Sequence, residues 1–311
     1  MVDTPLVGAP VVDALQLGAS LYVPALHPRL DAVFARREYP ALKSVIVCTE
    51  DAVAECDLGT ALRQLREVLA TAAPAPGLLR FVRVRNPAVM REVLAMPGSA
   101  LLDGFVLPKI TQQVLPSYWM LLRGTQHLLM PTLETAEVFE PEAMRALRAV
   151  LLQPELRARV LALRIGGNDL LGLLGLRRPR GVTLYDSPLG PLLAQLVLIF
   201  RPHGFALTAP VFDLLDDEVL LREEARRDSA FGFHGKTAIH PAQIPVIEAM
   251  FKVNAMDLQA ATRLARPDCP AVFKLGGAMH EAAVHRPWAQ GILARARQFG
   301  VEDGADARGQ A

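Results

Sequence analysis

The sequence predicts an α/β protein, a closed (β/α)8 TIM barrel followed by a C-terminal helical extension. Short β-rich segments alternate with longer segments of helical periodicity, which is typical of a parallel sheet with crossover helices. Eight such strands fit within about 235 residues, the usual size of a closed barrel. An open doubly wound sheet more often has about five to seven strands. The chain has neither GxGxxG after its first strand nor GxxxxGK[ST] anywhere, so the nucleotide-binding fingerprints of competing folds are missing.

The predicted strands and helices follow one another in the order that a barrel requires. The strands are Ser20–Pro24, Ser44–Cys48, Arg80–Arg85, Gly104–Leu107, Leu128–Thr132, Ala162–Gly166, Ala206–Pro210 and Phe231–Gly235. The crossover helices include Leu58–Ala70, Pro141–Leu151, Leu189–Arg201 and Asp217–Asp228, each long enough to connect neighbouring parallel strands. We therefore assign residues 19–244 to the barrel, after an N-terminal arm of residues 1–18.

After the eighth strand the pattern changes to helices alone. They are Pro245–Phe251, Asp257–Ala265 and Pro287–Phe299, and the turn-rich segment Arg266–Gly277 separates the last two. This extension, residues 245–299, is too small for an independent core, so we expect its apolar faces to pack on the barrel or on a neighbouring subunit. The tail, residues 300–311, is rich in Gly, Ala and charge and is predicted to be disordered.

The composition describes a folded protein and argues against nucleic-acid and membrane partners. Of the 311 residues, 51% are hydrophobic and 21% are charged, which indicates a globular chain with an aliphatic core. The net charge of +1 and the absence of a long Lys/Arg block argue against a nucleic-acid partner. The most apolar segment, Pro188–Phe200, is shorter than the roughly 20 residues that span a membrane. No secretory signal begins the chain, and the three cysteines lack a paired metal spacing, so we expect a cytoplasmic enzyme.

Polar residues at the C-terminal ends of the strands are the candidates for chemistry, because the loops there converge on one face of a barrel. They are Glu50 and Asp51 after the second strand, Arg83 and Arg85 in the third, Lys109 after the fourth, Glu134 after the fifth, and Asn168 and Asp169 after the sixth. Arg83 and Arg85 share strand parity, so both side chains should point to one side of the sheet. A buried guanidinium needs an anionic partner, which predicts protein carboxylates or an anionic substrate there. An exposed, salt-bridged Arg85 is the alternative.

Glu134 and Asp169 form the candidate metal site. Each follows an apolar strand, and neither has a basic residue within three positions in the sequence. Two carboxylates on adjacent strand ends repel each other unless a cation lies between them, and oxygen-only ligation favours Mg²⁺. The glycines Gly166 and Gly167 favour this interpretation, because glycine lets the backbone approach a ligand closely. Helix caps or surface carboxylates remain the alternative.

The segment Gly232–Pro241 (GFHGKTAIHP) contains a lysine and two histidines near the last strand. We interpret Lys236 as a turn lysine rather than a phosphate-binding or Schiff-base lysine, because no carbonyl-activating partner is evident. For His240 a structural hydrogen bond is the preferred interpretation. No Ser-His-Asp or Cys-His arrangement has positional support.

Seven segments, in collinear order, resemble the citrate lyase β-subunit-like family of the HpcH/HpaI aldolase superfamily, which includes malyl-CoA lyases and is related to malate synthase. They are SLYVPALHPRL from Ser20, CTEDAVAECD from Cys48, RFVRVRNP from Arg80, GFVLPKI from Gly104, LETAEVF from Leu133, GGNDLLGLLG from Gly166 and GFHGKTAIHPAQI from Gly232. The resemblance spans residues 18–295 and includes the EDAV, LET, GxxD and GKxxIHPxQ elements.

The resemblance implies a (β/α)8 barrel in which the carboxylates of Glu134 and Asp169 hold Mg²⁺. It implies that Arg83 binds the carboxylate of a 2-oxoacid and stabilises the negative charge that develops during the reaction. Glu50 and Asp51 match the EDAV element, so their implied role is to orient Arg83 or a metal-bound water. The implied substrate is a 2-oxoacid or hydroxyacid, either free or as an acyl-CoA thioester. The other residues that we assign to substrate binding are Arg85, Lys109, Gly167 and Asn168.

In this family the C-terminal helices pack across subunits, so the resemblance implies a homotrimer or another homo-oligomer. A family element, GKMxD, supplies a carboxylate to the neighbouring active site. This chain has GAMHE there, so Glu281 takes the place of the aspartate. One extra methylene moves a proton-transfer group by about 1.5 Å, which argues against malate-synthase-like or thioesterase-like activity.

Two functions are open on the sequence. The first is a Mg²⁺-dependent carbon–carbon bond lyase or aldolase, favoured by the retention of Glu134, Asp169 and Arg83. The second is a non-catalytic metal-binding barrel that serves as a binding or scaffold subunit of a system encoded in a bacterial gene cluster, favoured by the loss of GKMxD.

Overall fold

The computed structural model describes residues 12–302, and these contain the predicted barrel of eight parallel strands. The strands are β1 Ala19–Pro24, β2 Ser44–Cys48, β3 Leu79–Arg83, β4 Gly104–Leu107, β5 Leu128–Leu133, β6 Leu163–Ile165, β7 Leu207–Thr208 and β8 Lys236–Ala238. They lie in sequence order around the barrel, and β1 pairs with both β2 and β8. Ala209 pairs with Lys236 and closes the remaining gap between β7 and β8.

Helices cover the outside of the barrel and bury apolar side chains against the strands. They are α1 Leu30–Phe34, α2 Leu58–Thr71, α3 Pro87–Leu94, α4 Leu115–Leu122, α5 Pro141–Leu151, α6 Pro154–Arg157, α7 Gly167–Leu173, α8 Leu189–Phe200, α9 Glu218–Ala230 and α10 Gln243–Met250. In α2 the buried face repeats at helical spacing through Ala61, Leu65 and Val68. None of the helices within the described range combines the length and apolarity that crossing a membrane requires.

The interior of the barrel changes from apolar to charged along its axis. Ile46, Phe81, Val106 and Met130 belong to one buried apolar cluster, below the C-terminal ends of the strands. Above this cluster the inward-facing positions carry the charged side chain of Arg83. The apolar part fills the barrel like a small core, so polar chemistry is restricted to the end at which the strands finish.

The eighth strand is not where the sequence predicts it. Residues 231–235 instead form the end of α9 and a turn, in which Gly232 adopts a φ of +83°. The strand begins at Lys236, which is fully buried and is not the turn lysine that we predict from the sequence. Its Nζ lies 2.9 Å from Glu224 and 2.8 Å from Asp228, both on α9. A buried ion-pair network therefore joins the last strand to the helix that precedes it.

The extension contains a β-hairpin in addition to helices. It comprises α11 Ala255–Leu264, β9 Val272–Leu275, β10 Ala278–Glu281 and α12 Ala282–Phe299. Gly276 and Gly277, with φ of +59° and +81°, form the turn of a hairpin that begins in the segment predicted to be turn-rich chain. Phe273 and Ile292 pack with Leu264 in a small apolar core within the extension, separate from the cores of the barrel.

The two predicted terminal segments are described only in part. In the N-terminal arm, residues 12–18 are described, and a 3₁₀ helix, Ala14–Leu17, buries Leu17 against the apolar cluster inside the barrel. In the predicted tail, Val301 pairs with Val253, and residues 303–311 lie outside the described residues.

Candidate active site

Arg83 lies at the centre of an ion-paired cluster at the C-terminal end of the barrel. It ends β3, and its Nη2 lies 2.6 Å from Glu50, 2.9 Å from Asp51 and 3.3 Å from Glu134. The side chain is only 11% exposed, so these charges interact with little screening by water. Burial lowers the pKa of Arg83, but the negative groups around it outweigh burial, and the pKa is raised overall. The guanidinium is therefore a permanent positive charge in the site.

Lys109, after β4, joins the same carboxylates from the other side. Its backbone N–H donates to Glu134 Oε1 over 2.8 Å, and its Nζ donates to Glu50 Oε1 over 2.5 Å. The Nζ also lies 3.8 Å from Asp169 Oδ1. Lys109 has a φ of +51°, in the left-handed region that is unfavourable for a side-chain-bearing residue. Such strain persists where surrounding contacts enforce it, and here it aims the backbone N–H at Glu134.

Glu134 is the most perturbed carboxyl group of the cluster. Its pKa is raised to about 7, because burial and the charge of Asp169 together outweigh the lowering by Arg83 and the Lys109 N–H. Burial and a hydrogen bond with Asp51 also raise the pKa of Glu50. Burial raises the pKa of Asp51 too, but its contact with Glu50 and the charge of Arg83 outweigh burial, so it is lowered overall. The raised pKa of Glu134 indicates that its negative charge is incompletely compensated.

The glycines after β6 allow close packing beside Glu134 and just before Asp169. A Cβ at Gly166 would lie 2.3 Å from Glu134 Oε2, and a Cβ at Gly167 would lie 2.8 Å from Pro210. Asp169 lies in the first turn of α7 and is 30% exposed on its side chain. Asn168, next to it, is exposed. Gly166 therefore allows the start of α7 to approach the buried carboxylate of Glu134, and Gly167 allows it to pack closely on Pro210.

The donor set of this cluster fits a divalent cation. Its ion-paired members are the carboxylates of Glu50, Asp51, Glu134 and Asp169 and the cations Arg83 and Lys109, so the negative charges exceed the positive by two when all are ionised. Mg²⁺ is usually held by one or two carboxylates and keeps positions for water or substrate. Within residues 12–302 no group of three or more His, Cys, Asp or Glu side chains could enclose a metal. A site with two protein carboxylates, whose other positions are filled by water or substrate, is therefore compatible with Mg²⁺.

Two of the predicted charged residues are not in the cluster. Arg85 lies beyond the end of β3, and its guanidinium donates to the carbonyl oxygens of Thr49, Glu50 and Val53, so it fastens the loop after β2. Glu281 ends the hairpin of the extension, and its N–H donates to His285 Nδ1. The far end of α12 contacts Lys43, which precedes β2 at the opposite face of the barrel.

Two residues in the barrel interior are not among those that the sequence predicts for the site. Tyr22, on β1, has its ring centroid 5.9 Å from Arg83 Cζ. Arg164, on β6, has its Cζ 5.3 Å from the same centroid. The signal for Arg164 is present in the sequence as a lone charge inside the apolar segment Leu163–Ile165.

A family model described as the carbon–carbon bond lyase of the TIM-barrel fold matches residues 11–301. Two proteins named (3S)-malyl-CoA thioesterase, from Cereibacter sphaeroides strains, are each 29% identical over 247 residues, which are 78% of this chain and 80% of theirs.

Solved structures share the fold over most of the chain. The protein CitE of Mycobacterium tuberculosis, in complex with magnesium, acetoacetate and coenzyme A, has a TM-score of 0.67 at 24% identity, covering 91% of this chain and 99% of that one. RipC of Yersinia pestis has a TM-score of 0.60 at 22% identity, covering 78% of this chain and 98% of that one. At these identities the likeness shows the fold.

Proposed function

Because this chain belongs to the carbon–carbon bond lyase family of the TIM-barrel fold, we propose that it is a Mg²⁺-dependent lyase or aldolase. Its substrate is a 2-oxoacid, or the hydroxyacid that releases one. The observation that carries the proposal is the excess of two negative charges in a partly buried cluster that contains Glu134, Asp169 and Arg83. Magnesium in the structure of CitE supports the same identity for the cation.

Each residue of the cluster has a distinct part in the proposal. Glu134 and Asp169 would hold Mg²⁺, which when bound polarises the carbonyl of the 2-oxoacid. Arg83 contributes a fixed positive charge beside the reacting atoms and stabilises the oxyanion that develops when the bond breaks. Glu50 and Asp51 hold Arg83 in place, and Lys109 fixes Glu134 and Glu50.

The remaining predicted residues support this centre. Gly167 and Asn168 are proposed to present the start of α7 to the substrate, next to Asp169. Arg85 positions the loop that carries Glu50 and Asp51, and a direct contact of Arg85 with the substrate stays a prediction.

Cleavage removes the hydroxyl proton of the hydroxyacid and leaves the bonding electron pair on the carbon next to the acyl carbonyl, where it takes up a proton.

We propose that the substrate is a CoA thioester and that the enzyme cleaves a carbon–carbon bond in it rather than hydrolysing the thioester. The relatives named malyl-CoA thioesterases and the coenzyme A complex of CitE support the CoA part. The free thiols Cys48, Cys56 and Cys269 support a reducing, cytoplasmic setting for the enzyme.

The products formed from (3S)-malyl-CoA with Mg²⁺ test this proposal. Carbon–carbon cleavage gives glyoxylate and acetyl-CoA, whereas thioester hydrolysis gives malate and free CoA. We expect glyoxylate, detected as its phenylhydrazone, and no formation when Asp169 is replaced by Asn. Malate and free thiol in equal amounts would instead make the protein a thioesterase.

We further propose that the extension packs against a second copy of the chain and brings Glu281 to the neighbouring site. The hairpin and the start of α12 expose Val272, Met279, Val284 and Trp288, with exposed fractions of 37% to 65%. A homo-oligomer would cover these side chains, and the family resemblance implies a trimer.

Mixing two inactive variants tests the role of Glu281 across subunits. Asp169→Asn damages the metal site and Glu281→Gln damages the proposed neighbouring carboxylate, so a mixed oligomer contains some sites with neither change. We expect mixing with subunit exchange to restore measurable turnover, while either variant alone stays inactive. A mixture with no more activity than its components would place Glu281 outside the chemistry.

A further inference from the structure

Arg164 is a buried cation inside the barrel, beneath the ion-paired cluster. It lies in the middle of β6 and is 2% exposed. Strand register places it beside Thr132 on β5 and Thr208 on β7. Because residues in register on parallel strands face the same side, these three side chains share the barrel interior.

The contacts of Arg164 leave its charge without a protein counter-ion. Its Nη2 donates to Thr237 Oγ1 over 2.5 Å, and its Nη1 lies 3.9 Å from the sulfur of Met130. No carboxylate in the described part of the chain forms an ion pair with it. By contrast, Arg83 pairs with three carboxylates and the buried Lys236 pairs with two. A buried guanidinium without an anion is costly, so its retention calls for an anionic partner.

The surroundings of Arg164 offer hydrogen-bond donors that the protein does not use. The Oγ1 atoms of Thr132 and Thr208 are buried and have no hydrogen-bond partner. Both residues are at most 4% exposed. Tyr22 and Thr237, in contact with Arg164, are partly exposed, so the surroundings of the guanidinium are not completely closed to solvent. A carboxylate there would accept hydrogen bonds from the guanidinium and from the two free hydroxyls.

We propose that Arg164, Thr132, Thr208 and Thr237 form a second anion subsite that binds a carboxylate of the substrate. The inference rests on the proposed function, and it adds a preference for substrates with two carboxylates, one near Arg83 and one near Arg164, over those with a single carboxylate. Arg83 is already neutralised by protein carboxylates, whereas Arg164 is not. The two guanidinium carbons lie within 6 Å of the Tyr22 ring centroid, at 5.9 and 5.3 Å, so a short dicarboxylate can reach both.

The selectivity between oxaloacetate and pyruvate tests the subsite. The two 2-oxoacids differ by one carboxylate, and a charge-assisted hydrogen bond to that group predicts that wild type with Mg²⁺ binds oxaloacetate at least about tenfold more tightly. We expect Arg164→Met to remove this preference and to leave pyruvate and Mg²⁺ affinity unchanged, as measured by calorimetry. Equal weakening of both oxoacids, or an unchanged preference, would overturn the inference.

A metal-free measurement separates the subsite from the proposed function. Acetate should raise the melting temperature of the metal-free wild type and of Arg80→Met, another buried arginine, which contacts the Ala73 carbonyl and the Phe34 ring away from the site. Acetate should not raise the melting temperature of metal-free Arg164→Met. Acetate stabilisation with no oxoacid binding would retain the subsite and reject the proposed function. Oxoacid binding without Arg164-dependent stabilisation by acetate would retain the proposed function and reject the subsite.

Thr208→Val keeps the test informative if Arg164→Met does not fold. Valine has the shape of threonine and removes a hydroxyl that has no partner in the protein, so the melting temperature should stay equal or rise. We expect weaker acetate stabilisation and a smaller preference for oxaloacetate. An unchanged response to acetate in this variant would contradict the subsite.

Discussion

Replacement of Glu134 by glutamine is expected to abolish Mg²⁺ binding and to lower turnover by at least about 10³-fold, since a bound metal contributes several kcal/mol of transition-state stabilisation. Glutamine keeps the shape of the side chain and an oxygen that can accept from Arg83 and Lys109, so the fold should persist. It removes the one carboxylate that is both 2% exposed and adjacent to Asp169. Calorimetric titration with Mg²⁺ measures the loss.

Glu218→Gln is the matched control for this experiment. Glu218 lies at the start of α9, is 65% exposed and pairs with Arg222 one turn away. Its replacement should leave Mg²⁺ affinity unchanged. Wild-type affinity in Glu134→Gln, with a preserved circular dichroism spectrum, would mean that the metal site lies elsewhere.

Replacement of Lys236 by methionine is expected to destabilise the protein by about 3–5 kcal/mol, because it leaves buried carboxylates without their cation. The Lys236 side chain is 0% exposed, and its two partners, Glu224 and Asp228, are each 1% exposed. Since folding free energies are about 5–15 kcal/mol, this loss is a large fraction of the total. Urea unfolding monitored by fluorescence measures it.

The loss in Lys236→Met should be smaller at pH 5 than at pH 8. Burial raises the pKa of Asp228 to about 6, well above the ordinary value of an aspartate, even with Lys236 present to lower it. The folded state therefore binds the proton more tightly than the unfolded state, and the stability that this provides is lost as pH rises through about 6. Without Lys236 the pKa of Asp228 in the folded state moves higher. Protonation in acid therefore removes the unpaired negative charge of Asp228 over a wider pH range.

Arg222→Met is the control for the lysine variant. Its ion pair with Glu218 spans one helical turn, and the two side chains are 49% and 65% exposed. Such a pair contributes about 0.3–0.5 kcal/mol. A loss in Lys236→Met no larger than in this control would contradict a structural role for the buried network.

The sequence predicts the barrel well where strands are apolar and poorly where a strand is short and charged. Ser44–Cys48 and Gly104–Leu107 coincide with β2 and β4, because each is an unbroken buried segment between turns. The eighth strand begins at a buried lysine whose partners lie eight and twelve residues earlier on α9, so no local pattern indicates it. The sequence does not predict the hairpin after α11, because its two strands contain a single buried residue, Phe273, and so lack a continuous buried segment.

The candidate site was predictable to the extent that barrel geometry brings strand ends together. Glu50, Asp51, Arg83, Lys109, Glu134 and Asp169 all meet there, as the sequence predicts. Arg85 could not be assigned from parity, because β3 ends two residues before it and the chain then turns. The role of Glu281 depends on a second copy of the chain, and the contacts within one chain place it in the extension.

Calorimetry of the wild-type protein with oxaloacetate, pyruvate and glyoxylate, each with and without Mg²⁺, tests the central claim most directly. The cluster of Glu134, Asp169 and Arg83 predicts that at least one of these 2-oxoacids binds in the presence of Mg²⁺, and that its affinity falls when Mg²⁺ is left out. Binding of Mg²⁺ alone, with no 2-oxoacid bound in its presence, would contradict the lyase and favour a non-catalytic metal-binding barrel.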